Sequence, residues 1–375
     1  MMRLTPGWQL AVSLSFLGFT VVSAETIQVL GTKVITAPEE SYSGWPTVMR
    51  RANGELWTVW SGGRDAHVCP MGQVRAISSR DDGATWTYPR VLLDTAMDDR
   101  DAGALVTAKG TLLITTFTSL AWEERGLLEK QTPERQVRWK GVRDRLSPEE
   151  RKAALGEWVI RSTDGGTSWS PIIATIVNSP HGPTQLKDGR LLYVGKELWT
   201  KEHRIGAAES KDDGLTWTWL SEISGRPGDD VARGYHELHA IETDDGRIVV
   251  QIRHEGKFDP NWTLQTESAD GGKTWTIPRP ITFGIPSQLL KLRDGRLLMT
   301  YGHRRKPFGN QARMSTDQGR TWSEPMIISG DGAAGDLGYP STVELADGTL
   351  LTVWYENMKD LGKAVLRQAK WKISK

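Results

Sequence analysis

Short apolar runs recur along the chain, each entered through a polar turn. The segments Ala52–Trp57 (ANGELW), Ala108–Leu113 (AKGTLL), Lys187–Leu192 (KDGRLL), Asp244–Val249 (DDGRIV), Arg293–Leu298 (RDGRLL) and Ala346–Leu351 (ADGTLL) place turn glycines at Gly54, Gly110, Gly189, Gly246, Gly295 and Gly348. Interleaved with them is an octamer, Ser-x-Asp-x-Gly-x-Thr/Ser-Trp, at Ser79–Trp86, Ser162–Trp169, Ser210–Trp217, Ser268–Trp275 and Ser315–Trp322. In such a corner the Asp carboxylate accepts hydrogen bonds from its own turn, the Gly takes a positive φ, and the Trp supplies apolar area.

The two repeats keep phase. From turn glycine to octamer the distances are 25, 52, 21, 22 and 20 residues. The unit therefore reads as glycine turn, strand, strand, octamer turn, strand. A four-stranded antiparallel unit recurring about every 50 residues predicts an all-β, six-bladed β-propeller. The sixth unit lacks an octamer. Its third strand is expected at Lys363–Trp371, and its fourth from the N-terminal stretch Thr26–Ile35, which would close the ring and remove exposed edges. The one long spacing marks an insertion at about 120–157, dense in charge, with Ser147-Pro148-Glu149-Glu150 as a capped helix start and helix to about Leu155. Insertions in propellers map to one face, so this segment either overhangs the mouth of the central channel or forms a solvated flap.

Composition narrows the function classes. The 47 basic and 46 acidic residues nearly cancel, which gives no global argument for nucleic acid or an anionic membrane as partner. The single Cys69 excludes an intrachain disulfide framework. Residues 1–24 read as a signal peptide: an apolar run, Trp8–Val22, precedes the small residues Val22-Ser23-Ala24. The mature protein, residues 25–375, is expected to be an exported, periplasmic or extracellular monomer forming one propeller domain without a membrane span.

Candidate chemistry emerges from the phase. Nine residues before each turn glycine stand Trp45, Asp101, Pro180, Glu237, Pro286 and Tyr339. Innermost propeller strands converge on the axis, so Asp101, Glu237 and Tyr339 are expected to face one space. Around them lie Gly62–His67, Asp98–Asp101, Pro180–Pro183 and Tyr235–Glu237, with Arg253-His254-Glu255 and His303-Arg304-Arg305 ending second strands. Five of the seven histidines, His67, His181, His236, His254 and His303, fall in these stretches. They lack a ligand spacing such as His-x-x-x-His, so neither a metal nor a cofactor is expected.

The octamers resemble the Asp-boxes (BNR repeats) of the sialidase superfamily, across Ile27–Lys372. The resemblance implies an exo-acting glycoside hydrolase whose partner is an acidic glycan or glycoconjugate. Glu237 and Arg253, separated by a turn, match the family's glutamate and following arginine. Tyr339 in Gly-Tyr-Pro-Ser-Thr stands where the family has its tyrosine nucleophile. The arginine before the last box corresponds to Arg304 or Arg305, with Arg305 preferred because Pro307 stiffens the stretch after it. Asp65 is the nearest match to the acid/base aspartate, and Asp101 rivals it on phase. The chain departs from the pattern at Gly44-Trp45-Pro46-Thr47, where the family's first arginine precedes Ile-Pro. Arg64, Arg75 and Arg100 are the substitutes, and His67, His181 and His236 complete the substrate-binding candidates. Two further readings stay open: a hydrolase or lyase for another acidic (uronic-acid) glycan, favoured by the missing arginine and the density of histidines, with Tyr339 paired to His236 or His181, or a glycan-binding propeller without catalysis, favoured by the versatility of the fold and the two rival aspartates.

Overall fold

The computed structural model describes residues 26–374 except Pro38 and Ser41. The expected signal peptide lies outside the described residues. Four antiparallel four-stranded sheets form where the repeats place them, starting at Asp98–Val106, Thr184–Gln185, Tyr235–Glu242 and Ser287–Lys291. Each runs from an innermost strand through the glycine turn, and its third strand ends at an octamer.

The remaining strands correct the expectation of six blades. They form one eight-stranded mixed sheet, in the order Leu337–Glu344, Leu350–Met358, Lys363–Ser374, Tyr42–Arg50, Leu56–Arg64, Gln73–Ser79 and Arg90–Leu93, with Thr26–Val34 also paired to Lys363–Ser374. The protein is thus an all-β propeller of four antiparallel blades plus one mixed sheet. The cause is the length of Lys363–Ser374, which at 12 residues outruns its partner. Thr26–Val34 covers it only from Arg367 to Ser374. The uncovered start accepts a parallel pairing of Tyr42 with Ala364, and Leu366 O takes the Ile35 N–H at 2.9 Å. Backbone groups left open at that edge are satisfied by the incoming first unit, which welds the two ends of the chain.

The octamers build the same corner each time. In the first, Ser79 Oγ donates to Asp81 Oδ1 (2.7 Å) and accepts from Gly83 N (2.9 Å), while Asp81 accepts from Thr85 N (2.8 Å) and Thr85 Oγ1 (2.6 Å). Gly83 has φ +78°, a conformation costly for any residue with a Cβ. These bonds pull the Asp81 carboxyl from 3.8 to about 2, with the Thr85 hydroxyl as the first cause. A depressed folded-state value stabilises above the unfolded one and is lost as pH falls through the folded one. Thermal stability is therefore expected to drop between about pH 4 and pH 2, and a melting series over that range checks it.

The box tryptophans are less buried than the repeat implies. Only Trp217 is buried; Trp86, Trp169, Trp275 and Trp322 are half-buried, because the box corners lie at the outer rims of the sheets. Trp275 keeps a 2.8 Å hydrogen bond from Nε1 to Ser221 Oγ in the neighbouring sheet. Trp275→Ala is then expected to cost about 2 kcal/mol, less than a fully buried tryptophan would. Chemical denaturation measures this.

The insertion is folded onto the first unit. Helices Pro133–Arg143 and Pro148–Ala153 are capped by Thr132 and Ser147, the latter in a reciprocal capping box with Glu150. Trp122, Leu128 and Trp139 bury against Cys69 and the neighbouring Val68 and Met71. This contact makes the segment a wall beside the loop Asp65–Gly72, while most residues of its two helices stay exposed.

Candidate active site

Four of the six phase positions share an unusual backbone. Trp45, Asp101, Glu237 and Tyr339 have φ of 56°, 45°, 43° and 53°. Each lies within a register irregularity of its innermost strand: between Gly44 and Thr47, Arg100 and Gly103, His236 and Leu238, and Gly338 and Ser341. A left-handed non-glycine residue costs about 1–3 kcal/mol and persists only where its surroundings hold it. Here the bulge re-aims four side chains toward the place where the inner strands meet.

Glu237, Tyr339 and Arg253 come together. The Tyr339 hydroxyl donates to Glu237 Oε1 at 2.5 Å, and Arg253 Nη1 donates to both Glu237 oxygens (2.8 and 2.6 Å) and to the Tyr339 oxygen (2.8 Å). Arg253 Nη2 reaches Glu255 at 2.6 Å. Burial works to raise the Glu237 carboxyl, but the charge and hydrogen bonds of Arg253 overcome it and leave the group below its usual 4.5. Burial, then the Glu237 charge, holds the Tyr339 phenol well above 10. The tyrosine is therefore neutral and paired with an ionised carboxylate.

The two neighbouring arginines separate. Arg304 lies with Cζ 5.7 Å from the Tyr339 ring centroid, and its Nε donates to Leu337 O (3.0 Å). Arg305 stacks on Phe283 at 4.0 Å and contacts His303, away from the tyrosine. The sequence preferred Arg305, whereas Arg304 is the one of the pair beside the Tyr339 ring, because successive residues leave a strand end on opposite sides.

The two aspartates also part. Asp101 is buried, and burial, reinforced by the charge of Glu237 against the pull of Arg100, pushes its carboxyl up to about 7. Asp65 faces the insertion, where its Oδ2 accepts from Arg138 Nη2 (2.8 Å) and Trp139 Nε1 (3.1 Å), and its carbonyl accepts from Arg135. Its carboxylate fastens the wall.

Trp45 occupies the place of the absent arginine with two cations against it. Arg64 Cζ lies 5.0 Å from its ring and Arg100 Cζ 4.6 Å. Arg64 is fully buried and committed to Asp98 through 2.6 and 3.2 Å bonds. Arg75 is tied to Glu40 and Gln73. Of the three substitutes only Arg100 stands beside the site without a carboxylate hydrogen bond among the described residues.

The histidines divide similarly. His67 packs edge-on to Trp45 at 5.0 Å, with Nδ1 2.7 Å from the Tyr42 hydroxyl and 3.1 Å from Asp336. His181 is buried against Tyr339 and His239, its ring nitrogens without partners among the described residues; burial pushes it down to about 3. His236 contacts Lys196 and Arg233 O, while His254 and His303 bond to the carbonyls of Asp259 and Pro307 as parts of turns.

Sequence reasoning missed Tyr42, Asp336, Tyr355 and Lys196, and named Glu255 only within the stretch Arg253-His254-Glu255. Tyr42 and Tyr355 both donate to Asp336, at 3.1 and 2.9 Å, closing an aromatic–acid cluster behind Trp45. Tyr42 and Asp336 each stand three residues before a phase position, a signal that was available. Tyr355 sits mid-strand in an apolar run and carried none. Among the described residues no group of three or more His, Cys, Asp or Glu side chains is placed to hold a metal, and no helix is long and apolar enough to cross a membrane.

An all-β propeller with ionisable side chains gathered where its inner strands meet defines the class. The chain belongs to the BNR repeat-like domain family, whose model matches residues 144–352. Among solved structures it is similar to a protein of unknown function from Dyadobacter fermentans DSM 18053 (TM-score 0.75, 24% identity, 93% of this chain and 99% of that one). It also resembles the Hadza microbial sialidase Hz136 (0.62, 17%, 89% and 66%) and the NanB sialidase from Streptococcus pneumoniae (0.63, 12%, 91% and 70%). At these identities the kinship with sialidases is one of fold. No curated protein matches the chain.

Proposed function

We propose that the protein is an exo-acting glycoside hydrolase of sialidase type, cutting a terminal acidic sugar with Tyr339 as nucleophile and Glu237 as its base. The observation that carries this reading is the 2.5 Å hydrogen bond between the Tyr339 hydroxyl and the Glu237 carboxylate, flanked by Arg253. A phenol held neutral is a poor nucleophile until a base removes its proton as it attacks. Near a sugar carboxylate a neutral nucleophile also avoids the repulsion a carboxylate would meet, and sialidases are a recognised tyrosine exception among glycosidases. Tyr339 would bond to the anomeric carbon as Glu237 takes its proton, while Asp101 protonates the departing glycosidic oxygen. Water would then attack the same carbon with Asp101 accepting its proton, and Tyr339 would leave with the proton held on Glu237. Asp101 suits the acid role because a carboxyl near 7 keeps its proton on about half of the molecules at neutral pH, where an ordinary aspartate has lost it. Arg304 and Arg100 are the guanidinium groups left for the sugar carboxylate.

A second reading, a hydrolase or lyase for another acidic sugar, is favoured by Trp45, which fills the place of a carboxylate-binding arginine with an aromatic ring. The test sets a sialic acid glycoside of a fluorescent phenol beside a panel of uronic-acid glycans, with absorbance followed near 235 nm. Phenol release supports the proposal. Reducing ends from the uronic-acid panel without absorbance support the other hydrolase, and rising absorbance supports elimination. Silence on every substrate overturns both readings and leaves a binding propeller.

A further inference from the structure

Lys196 ends the strand Leu191–Lys196, in the sheet beside the one that carries Glu237, and it is 6% exposed. A lysine is seldom buried this far without a task, because desolvation of the ammonium is costly. Its Nζ donates to Ala232 O (2.5 Å) and Tyr235 O (3.3 Å), and lies 3.3 Å from His236 Nδ1. The first two acceptors belong to the helical turn Val231–Gly234 and the residue after it, the segment that leads directly into Glu237. The imidazole fits one tautomer here: Nδ1 accepts from the ammonium and Nε2–H donates to Arg233 O at 2.9 Å. His236 pairs across the ladder with Arg253, and its Nε2 is 3.9 Å from Glu255, which in turn binds Arg253.

We infer that Lys196 is a positioning residue for Glu237: its ammonium group fastens the turn that delivers the glutamate and keeps His236 neutral beside Arg253. The inference rests on the proposed role of Glu237. Three bonds from one cation fix a segment whose next residue is held at φ 43°, where loose backbone would relax to an ordinary conformation. A second positive charge on His236 would compete with Arg253 for Glu255 and Glu237. The charged groups facing His236 are Lys196, Glu237, Arg253 and Glu255. Burial first, and the Lys196 ammonium second, hold the imidazole below its usual 6.5. Burial likewise lowers Lys196 to about 8, so it remains charged at neutral pH.

Two readouts test this in the full-length protein, one of them independent of turnover. Lys196→Met should raise the midpoint of the His236 imidazole titration seen by NMR, and Lys196→Arg, which restores charge and donors, should return it. On the sugar that the parent cleaves, Lys196→Met should lower kcat by roughly ten- to a hundredfold with KM little changed. It should also move the acid limb of the profile to higher pH, and Lys196→Arg should reverse both effects. A His236 titration that ignores Lys196→Met overturns the inference, even where the parent cleaves its sugar. So does a kcat unchanged in Lys196→Met, or a loss that Lys196→Arg shares in full. A parent silent on every sugar, with the His236 midpoint still shifted by Lys196→Met and restored by Lys196→Arg, removes the hydrolase reading and supports the coupling.

Discussion

Replacing Tyr339 by Phe is expected to lower kcat by at least about a thousandfold on whichever acidic glycoside the protein cleaves, with KM changed little. The substitution removes one oxygen and keeps the ring that packs on Trp45, Tyr355 and His181. Binding surfaces therefore persist, and the loss falls on the step in which the phenol oxygen bonds to carbon. The Glu237 carboxylate keeps both bonds from Arg253, so no buried charge is stranded. Stability should consequently change by only about 1 kcal/mol, the net worth of a hydrogen bond. Steady-state kinetics beside thermal denaturation distinguishes this outcome from simple unfolding. Turnover within a few-fold of the parent would remove Tyr339 as nucleophile.

The elements of the fold were legible because the repeats are local. An octamer fixes its own corner through bonds spanning four residues, such as Ser79 to Gly83 and Asp81 to Thr85, so it can be recognised without knowing the rest of the molecule. Counting back nine residues from each turn glycine brought out Asp101, Glu237 and Tyr339 because four of the innermost strands share one bulged geometry. What failed depends on contacts between distant segments. Tyr42 meets Ala364 across nearly the whole chain, and that one pairing turns two expected blades into a single sheet. The bonds that Asp65 receives from Arg138 and Trp139 of the insertion were not legible either, because they join residues 73 and 74 positions apart. Which of Arg304 and Arg305 lies beside the Tyr339 ring depends on the side on which each leaves the strand end, and the proline after them does not fix that side. Lys196 carried no motif at all. Its meaning comes from carbonyls 36 and 39 residues further on.

Asp101→Asn is expected to abolish turnover of unactivated glycosides while making the folded protein more stable at alkaline pH. The carboxyl stands near 7 because burial penalises its ionised form, with Glu237 adding repulsion and Arg100 only partly compensating. An acid raised from 3.8 to about 7 in the folded state binds its proton more tightly there than in the unfolded chain. Its contribution to stability is thus fully present below the unfolded value and is lost as pH rises through the folded one. Above about pH 7 the parent carries an unfavourable buried charge that asparagine lacks, worth at most about 4 kcal/mol. The melting-temperature difference between Asp101→Asn and parent should accordingly grow from about pH 4 to about pH 7 and level off above it. The same ionisation removes the proton needed by the leaving oxygen, so kcat/KM of the parent should fall as pH rises past about 7. Substrates with a good leaving group, such as nitrophenyl glycosides, need little protonation and should retain much more activity in Asp101→Asn than natural linkages do. Equal losses on both kinds of substrate would remove Asp101 as the acid. A melting difference independent of pH would show that its carboxyl is not raised.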